Sequence, residues 1–128
     1  MQEQHLYEYA VIRIVPSVER EEFLNVGVIL YSRPQKFLGA MFTLNEEKLR
    51  ALAPHTDINT IRPYLEAFVE ISKGSEAGGP IGKLDMPSRF RWLTAMRSSV
   101  VQTSRVHPGF CSGSAADTLQ RLHEQLVL

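Results

Sequence analysis

Residues 6–15 read Leu-Tyr-Glu-Tyr-Ala-Val-Ile-Arg-Ile-Val and stop at Pro16. Successive side chains of a strand point to opposite faces. One face would carry Tyr7, Tyr9, Val11, Arg13 and Val15, the other Leu6, Ala10, Ile12 and Ile14, with Glu8 near the start. Both faces are largely apolar, so this segment predicts a central strand covered on both sides. Arg13 then lies among apolar neighbours, and an unpaired buried charge costs several kcal/mol. It is expected to be paired, with Glu19, Glu21 and Glu22 the nearest acids in sequence.

The following segments supply partners for that strand. Residues 17–24 form a charged connector, and residues 25–32 (NVGVILYS) and 37–43 (FLGAMFT) predict two further strands. Pro34 suits the turn between them. Such short links favour an antiparallel meander. Gly27 and Gly39 fall inside these strands, where glycine often marks a bulge or a close approach by another element.

Helical signals then take over. Asn45 is a good N-cap for a short helix over residues 46–52, which Pro54 stops. Asp57 or Thr60 caps the next, ending at Gly74. Pro63 favours Thr60, because proline suits a first turn and not a helix interior. Ile61, Tyr64, Leu65, Phe68 and Ile71 form its apolar stripe. Pro87 and Ser88 open a short helix to about residue 95, residues 99–103 predict a fourth strand, and residues 106–113 read as a loop that exposes Cys111. Ser114 caps a last helix with Ala115, Leu119, Leu122 and Leu126 on one face. Leu119, Leu122 and Leu126 are expected to bury against the domain or a second subunit. The fold class is therefore α+β: an antiparallel sheet of about four strands, opened by a three-strand meander, with helices packed on it. At 128 residues the chain fits a single domain.

Composition excludes some functions. Lys+Arg and Asp+Glu are 14 each, so a global polycation that coats nucleic acid is ruled out. One cysteine excludes an intrachain disulfide and a multi-cysteine zinc site, and the four histidines have no metal-ligand spacing, so no metal or cofactor is expected. The N-terminus lacks the basic region of a secretory signal, Gln2 argues against myristoylation, and no apolar run approaches a membrane span; a cytoplasmic protein without membrane contact is expected.

The charge is uneven. Within residues 81–111, Lys83, Arg89, Arg91, Arg97 and Arg105 face only Asp85, and the single tryptophan, Trp92, lies among them. Arginine beside an aromatic ring suits phosphate or nucleotide recognition. Arg89, Arg91, Arg97 and His107 thus form a candidate anion site, with His107 able to titrate near neutral pH. Arg20, Glu22 and Asn25 crowd the entrance to the second strand as a supporting polar cluster. The commoner role of such residues is structural: arginines on a solvated face, an Arg20–Glu22 pair, an asparagine fixing the backbone. Residues 77–83 (AGGPIGK) lack the strand–loop–helix order and the Ser/Thr after lysine that a P-loop needs. No histidine is followed two residues on by Ser or Thr, so paired-histidine phosphodiesterase chemistry is not indicated.

Residues 9–16 (YAVIRIVP), 19–30 (EREEFLNVGVIL), 90–102 (FRWLTAMRSSVVQ) and 106–109 (VHPG) resemble the signature of a small bacterial family, domain-of-unknown-function family 3037. The resemblance spans nearly the whole chain. It implies a stand-alone bacterial cytoplasmic protein encoded beside kinase-like proteins of the toxin–antitoxin type, and it supplies no catalytic role. Two functions stand at this point. One is a non-enzymatic protein-binding module or accessory protein, whose partner is such a kinase-like product or a second copy of the chain. The other is a phosphate-ligand or nucleic-acid site on residues 81–111, with or without catalysis. The first needs an exposed apolar patch or an uncovered strand edge. The second needs the basic side chains to converge on one cleft with Arg20, Glu22 or Asn25.

Overall fold

The computed structural model describes residues 3–97 and 99–128. Met1 and Gln2, which the reading of the N-terminus includes, and Ser98, inside the segment 90–102, lie outside the described residues. In chain order the elements are β1 (His5–Ile14), β2 (Leu24–Ser32), β3 (Phe37–Phe42), α1 (Glu46–Leu52), α2 (Ile58–Lys73), α3 (Gly79–Gly82), α4 (Met86–Thr94), β4 (Val101–Thr103), β5 (His107–Cys111) and α5 (Ala115–Leu126). The fold is α+β. Its antiparallel sheet has the order β3-β2-β1-β4, and β5 also pairs with β1.

β1 is the centre, and its two apolar faces make two cores. Ala10, Ile12 and Ile14 join Val26, Ile29, Tyr31, Leu38 and Ala40 under Leu49 of α1, Ile61, Leu65, Phe68 and Ile71 of α2, and Phe90 and Leu93 of α4. On the opposite face Tyr7 joins Val28 and Leu30 under Ala115, Leu119 and Leu122 of α5. A bulge between Ile12 and Arg13 leaves Val26 as an extra residue of β2. The bulge turns Val26 to the same core as Ile29, against strict alternation. Gly27 sits beside it, where a Cβ would press on the Met41 carbonyl oxygen.

Four sequence-based expectations need correction. Residues 107–111 are a strand, not a loop. Pro108 stands opposite Glu8, in a pair whose backbone groups alternation turns away from β1, so its missing N–H is no loss. That strand carries Cys111 under α5, where it is buried rather than exposed. α2 starts one turn early, capped by Asp57, which accepts from Asn59 N–H (3.0 Å) and from the Thr60 hydroxyl (2.9 Å), and these bonds hold the extra turn ahead of Pro63. Arg13 has no acidic partner among the described residues; its guanidinium lies over the Phe23 ring, 4.0 Å from the centroid.

Buried and half-buried polar side chains tie the structure together through backbone groups. β4 and β5 lie on the same edge of β1 but are offset by one residue. Ser104 spans the offset: its N–H donates to the Val11 carbonyl (2.8 Å), and its Oγ accepts from Val11 N–H (2.9 Å). Gln35, in the β2–β3 turn, donates to the Gly113 carbonyl (2.8 Å) and accepts from Ala115 N–H (2.6 Å), fixing the start of α5. Arg89 is buried with no carboxylate partner among the described residues. Its Nη1 donates to the carbonyls of Ile71 (3.1 Å) and Ser72 (2.8 Å), and its Nε to that of Leu84 (3.0 Å). A guanidinium is favourable at this negative helix end. Gly74 terminates α2 at φ 69°, and a Cβ there would sit 2.9 Å from Arg89 Nη1. The glycine therefore answers both a left-handed backbone and the seat of the arginine.

Arg89→Met should lower stability by about 3 kcal/mol, since hydrogen bonds to charged groups contribute roughly 1.5–3 kcal/mol and their loss orphans buried acceptors. Chemical denaturation measures this, with the exposed Arg91→Met as the control of small effect.

His123, on α5, is buried and bonded through Nε2 to Thr43 Oγ1 (2.8 Å). Burial pushes its pKa below the ordinary 6.5, against a weaker upward pull from Glu124. The folded state thus holds the ring neutral while the unfolded chain takes up a proton. Stability should be full above the unfolded value and decline as the pH falls through about 6.5 toward the depressed folded one. Melting of wild type and His123→Gln across this range should show the slope reduced in the variant; equal slopes would refute the assignment.

Candidate functional site: an apolar cleft beside the ends of β1 and β4

β1 ends at Ile14, just ahead of Pro16, α1 is stopped by Pro54, and α4 ends at Thr94 before the chain enters β4 at Val101. These three chain reversals meet at one end of the sheet and do not close over the first core. The result is an open cleft of about 1120 Å³. Its floor is Ile61, Phe68 and Val101, and its walls include Leu52, Pro54, Tyr64, Trp92 and Val100. Tyr64 is 61% exposed, and Trp92 and Val100 are each 40% exposed. Ile61, Leu65, Phe68 and Ile71 of the α2 stripe are buried as the periodicity predicts; Tyr64 is released at the cleft.

Polar groups stand around the apolar surface. Arg20 and Glu22 form an ion pair on one side. Arg97 lines the cleft from the connection between α4 and β4, its guanidinium 4.2 Å from the Trp92 ring centroid and donating to the Trp92 carbonyl. Partial burial lowers the Arg97 pKa from its ordinary value. No carboxylate of the described residues pairs with it. His55, Asp57 and Thr60 also line the opening, and Asp57 is committed to capping α2.

The residues singled out from sequence are thus divided. Arg97, Arg20 and Glu22 share this cleft with Trp92. Arg89 is the buried clamp on the end of α2, and Arg91 is exposed on α4 outside the cleft lining. His107 lies on β5, exposed and packed against Tyr9 with ring centroids 5.4 Å apart. Asn25 sits at the far end of α5, donating to the Leu126 carbonyl (3.3 Å). Tyr64, His55 and the α1–α2 loop were not marked by the sequence. Tyr64 is indistinguishable there from a core residue of the stripe, while two prolines, Pro54 and Pro63, flanking a polar loop were the one available signal.

Chemically, such a site can take up a bulky apolar group against Tyr64, Trp92 and Val100 and meet an anionic group with Arg97. Among the described residues no three of His, Cys, Asp and Glu cluster as metal ligands would. No described helix is long and apolar enough to cross a membrane. The fold and the cleft define an α+β protein whose central strand is covered by helices on both faces and whose first core opens to solvent at one end. The chain belongs to the family described as protein of unknown function DUF3037, whose family model matches residues 9–127. Comparison with curated proteins finds no match, nor does comparison with solved structures.

If the cleft is a site rather than a piece of core, truncating its walls should not unfold the protein. Tyr64→Ala and Val100→Ser should each change stability by less than about 1 kcal/mol, as exposed substitutions do. Phe68→Ala, in the floor, should cost about 3–5 kcal/mol. Thermal melts of the three variants make the comparison.

Proposed function

We propose that the protein is a binding module that docks a segment of a partner protein in this cleft. One observation carries the reading: exposed Tyr64, Trp92 and Val100 border a single large concave surface rather than being scattered. Contiguous exposed apolar surface with a polar rim is the usual mark of an interaction site. Aromatic anchors and arginine are the residue types that dominate binding energy at such surfaces. The ring of Trp92 orients the Arg97 guanidinium, which has no carboxylate partner among the described residues. The favoured occupant is therefore a peptide segment with a bulky apolar side chain next to an acidic one. Two of the four residues of the proposed anion site, Arg89 and His107, are engaged elsewhere, which leaves phosphate or nucleic acid as the weaker reading. A bacterial cytoplasmic setting with a kinase-like partner fits this module and rests on the family resemblance alone.

Trp92 is the only tryptophan, so its fluorescence reports the cleft directly. Peptides selected from a displayed random library should share an apolar–acidic pair and shift the Trp92 emission. Tyr64→Ala and Arg97→Ala should each weaken them by about tenfold, or roughly 1.4 kcal/mol. A library that yields no binder, or binders indifferent to both substitutions, would refute the proposal. So would a stronger response to phosphate or short oligonucleotides than to peptides.

A further inference from the structure

The two edges of the sheet are built differently. The β4–β5 edge is broken by the one-residue offset at Ser104 and carries Pro108. Breaks and prolines of this kind keep an edge from pairing with other chains. The β3 edge, Phe-Leu-Gly-Ala-Met-Phe, has neither, and no charged residue. Thr43 N–H donates to the Val26 carbonyl (2.7 Å), which sets the alternation of the β2–β3 ladder. Residues 37, 39 and 41 then bond to β2, and Leu38, Ala40 and Phe42 turn their N–H and C=O groups outward. Those outward groups make no hydrogen bond among the described residues.

We infer that β3 pairs antiparallel with β3 of a second copy, joining two five-stranded sheets about a two-fold axis at Ala40. An isologous contact must be self-complementary, and this edge is. Pairing about Ala40 sets Leu38 of each copy opposite Phe42 of the other. Beyond the strand ends, the exposed Arg33 and Lys36 precede β3; after it the exposed Glu46 and Glu47 open α1, with the exposed Lys48 and Arg50 behind them. The antiparallel arrangement brings Arg33 and Lys36 of one copy toward the two leading glutamates of α1 in the other, twice; a parallel one would set Arg33 and Lys36 of the two copies together. Glu46 already faces Arg62 (3.4 Å) and Arg50 (3.9 Å), whereas Glu47 and Lys36 have no ion partner among the described residues. The cleft is lined by no β3 residue, so this pairing is independent of peptide docking.

Sedimentation velocity of the full chain across the micromolar range tests it. The wild type should show a reversible monomer–dimer equilibrium. Lys36→Glu and Glu47→Lys should each weaken the dimer by about tenfold, and the double variant should regain most of the loss. Ala40→Pro removes the central outward donor and should abolish the dimer; where this variant does not fold, the charge exchange decides. A wild type that stays monomeric overturns the inference and leaves a foreign strand as the remaining occupant of the edge. A dimer indifferent to the single reversals, or one that the double variant does not restore, also overturns it.

Discussion

A strand that is apolar on both faces cannot sit at the surface of a sheet, and the rest of this structure follows from that restriction on β1. One helical layer would leave either Tyr7 or Ile12 in water. The chain meets the demand asymmetrically. α1, α2 and α4 cover the face of Ala10, Ile12 and Ile14, and α5 alone covers the side of Tyr7. A single helix spans less of the sheet than three. It lies over β2 and β3, so Tyr9 and Arg13 on β1 remain only partly buried. The Phe23 ring over Arg13 is the local remedy, an aromatic cover for a cation that no acid of the described residues reaches.

Covering two faces from a short chain requires helices to be anchored at their ends, where backbone groups lack partners. The solution repeats: a polar side chain from a neighbouring element reaches a helix terminus. Arg89 takes the last carbonyls of α2, Gln35 takes the first N–H of α5, and Asn25 reaches the carbonyl near the other end of α5. Each stabilises twice, by satisfying a terminal group and by fixing the angle at which the helix meets the sheet. This is why a charged residue without an acidic partner is tolerated in the interior. The end of α2 supplies aligned dipoles in place of a counter-charge.

Much of the fold was legible because it is written in local chemistry. Alternation marked β1 to β3, capping residues Asn45 and Ser114 marked α1 and α5, and Gly74 marked the end of α2. What failed depended on distant partners. Residues 107–111 look like a turn because Pro108 and Gly109 dominate local preference, and only pairing with β1 makes them a strand. Arg89 and Arg97 are equivalent by composition, yet one clamps a helix and the other stands over Trp92 at a cleft. The sequence could group them by charge but had no means of separating them in space. Tyr64 was read as a member of the apolar stripe, and whether its position is roofed depends on loops from three other segments.

The cleft can be understood as the unfinished end of the larger core. Three helices are needed to cover the first face, and their connections must cross from one layer to the other at the ends of the strands. Pro16 and Pro54 force two of those connections to turn early, before they can fold over α2. Closing the gap would have required apolar side chains directed into it from the connections that follow α1 and α4. The chain places Ala53, His55, Thr56, Asp57, Ala95 and Arg97 there, small or polar residues, and Met96, a large apolar side chain in the same connection, stands wholly in solvent instead of over the gap. Burying Tyr64 and Trp92 further would have been favourable at about 25 cal/mol per Å² of apolar surface removed from water. A partner that covers the same surface recovers that free energy on binding rather than on folding, less the cost of ordering itself. In the proposed docking, the apolar walls leave part of the core's stabilisation to be completed by a partner segment, and Arg97 at the rim would select which segment completes it.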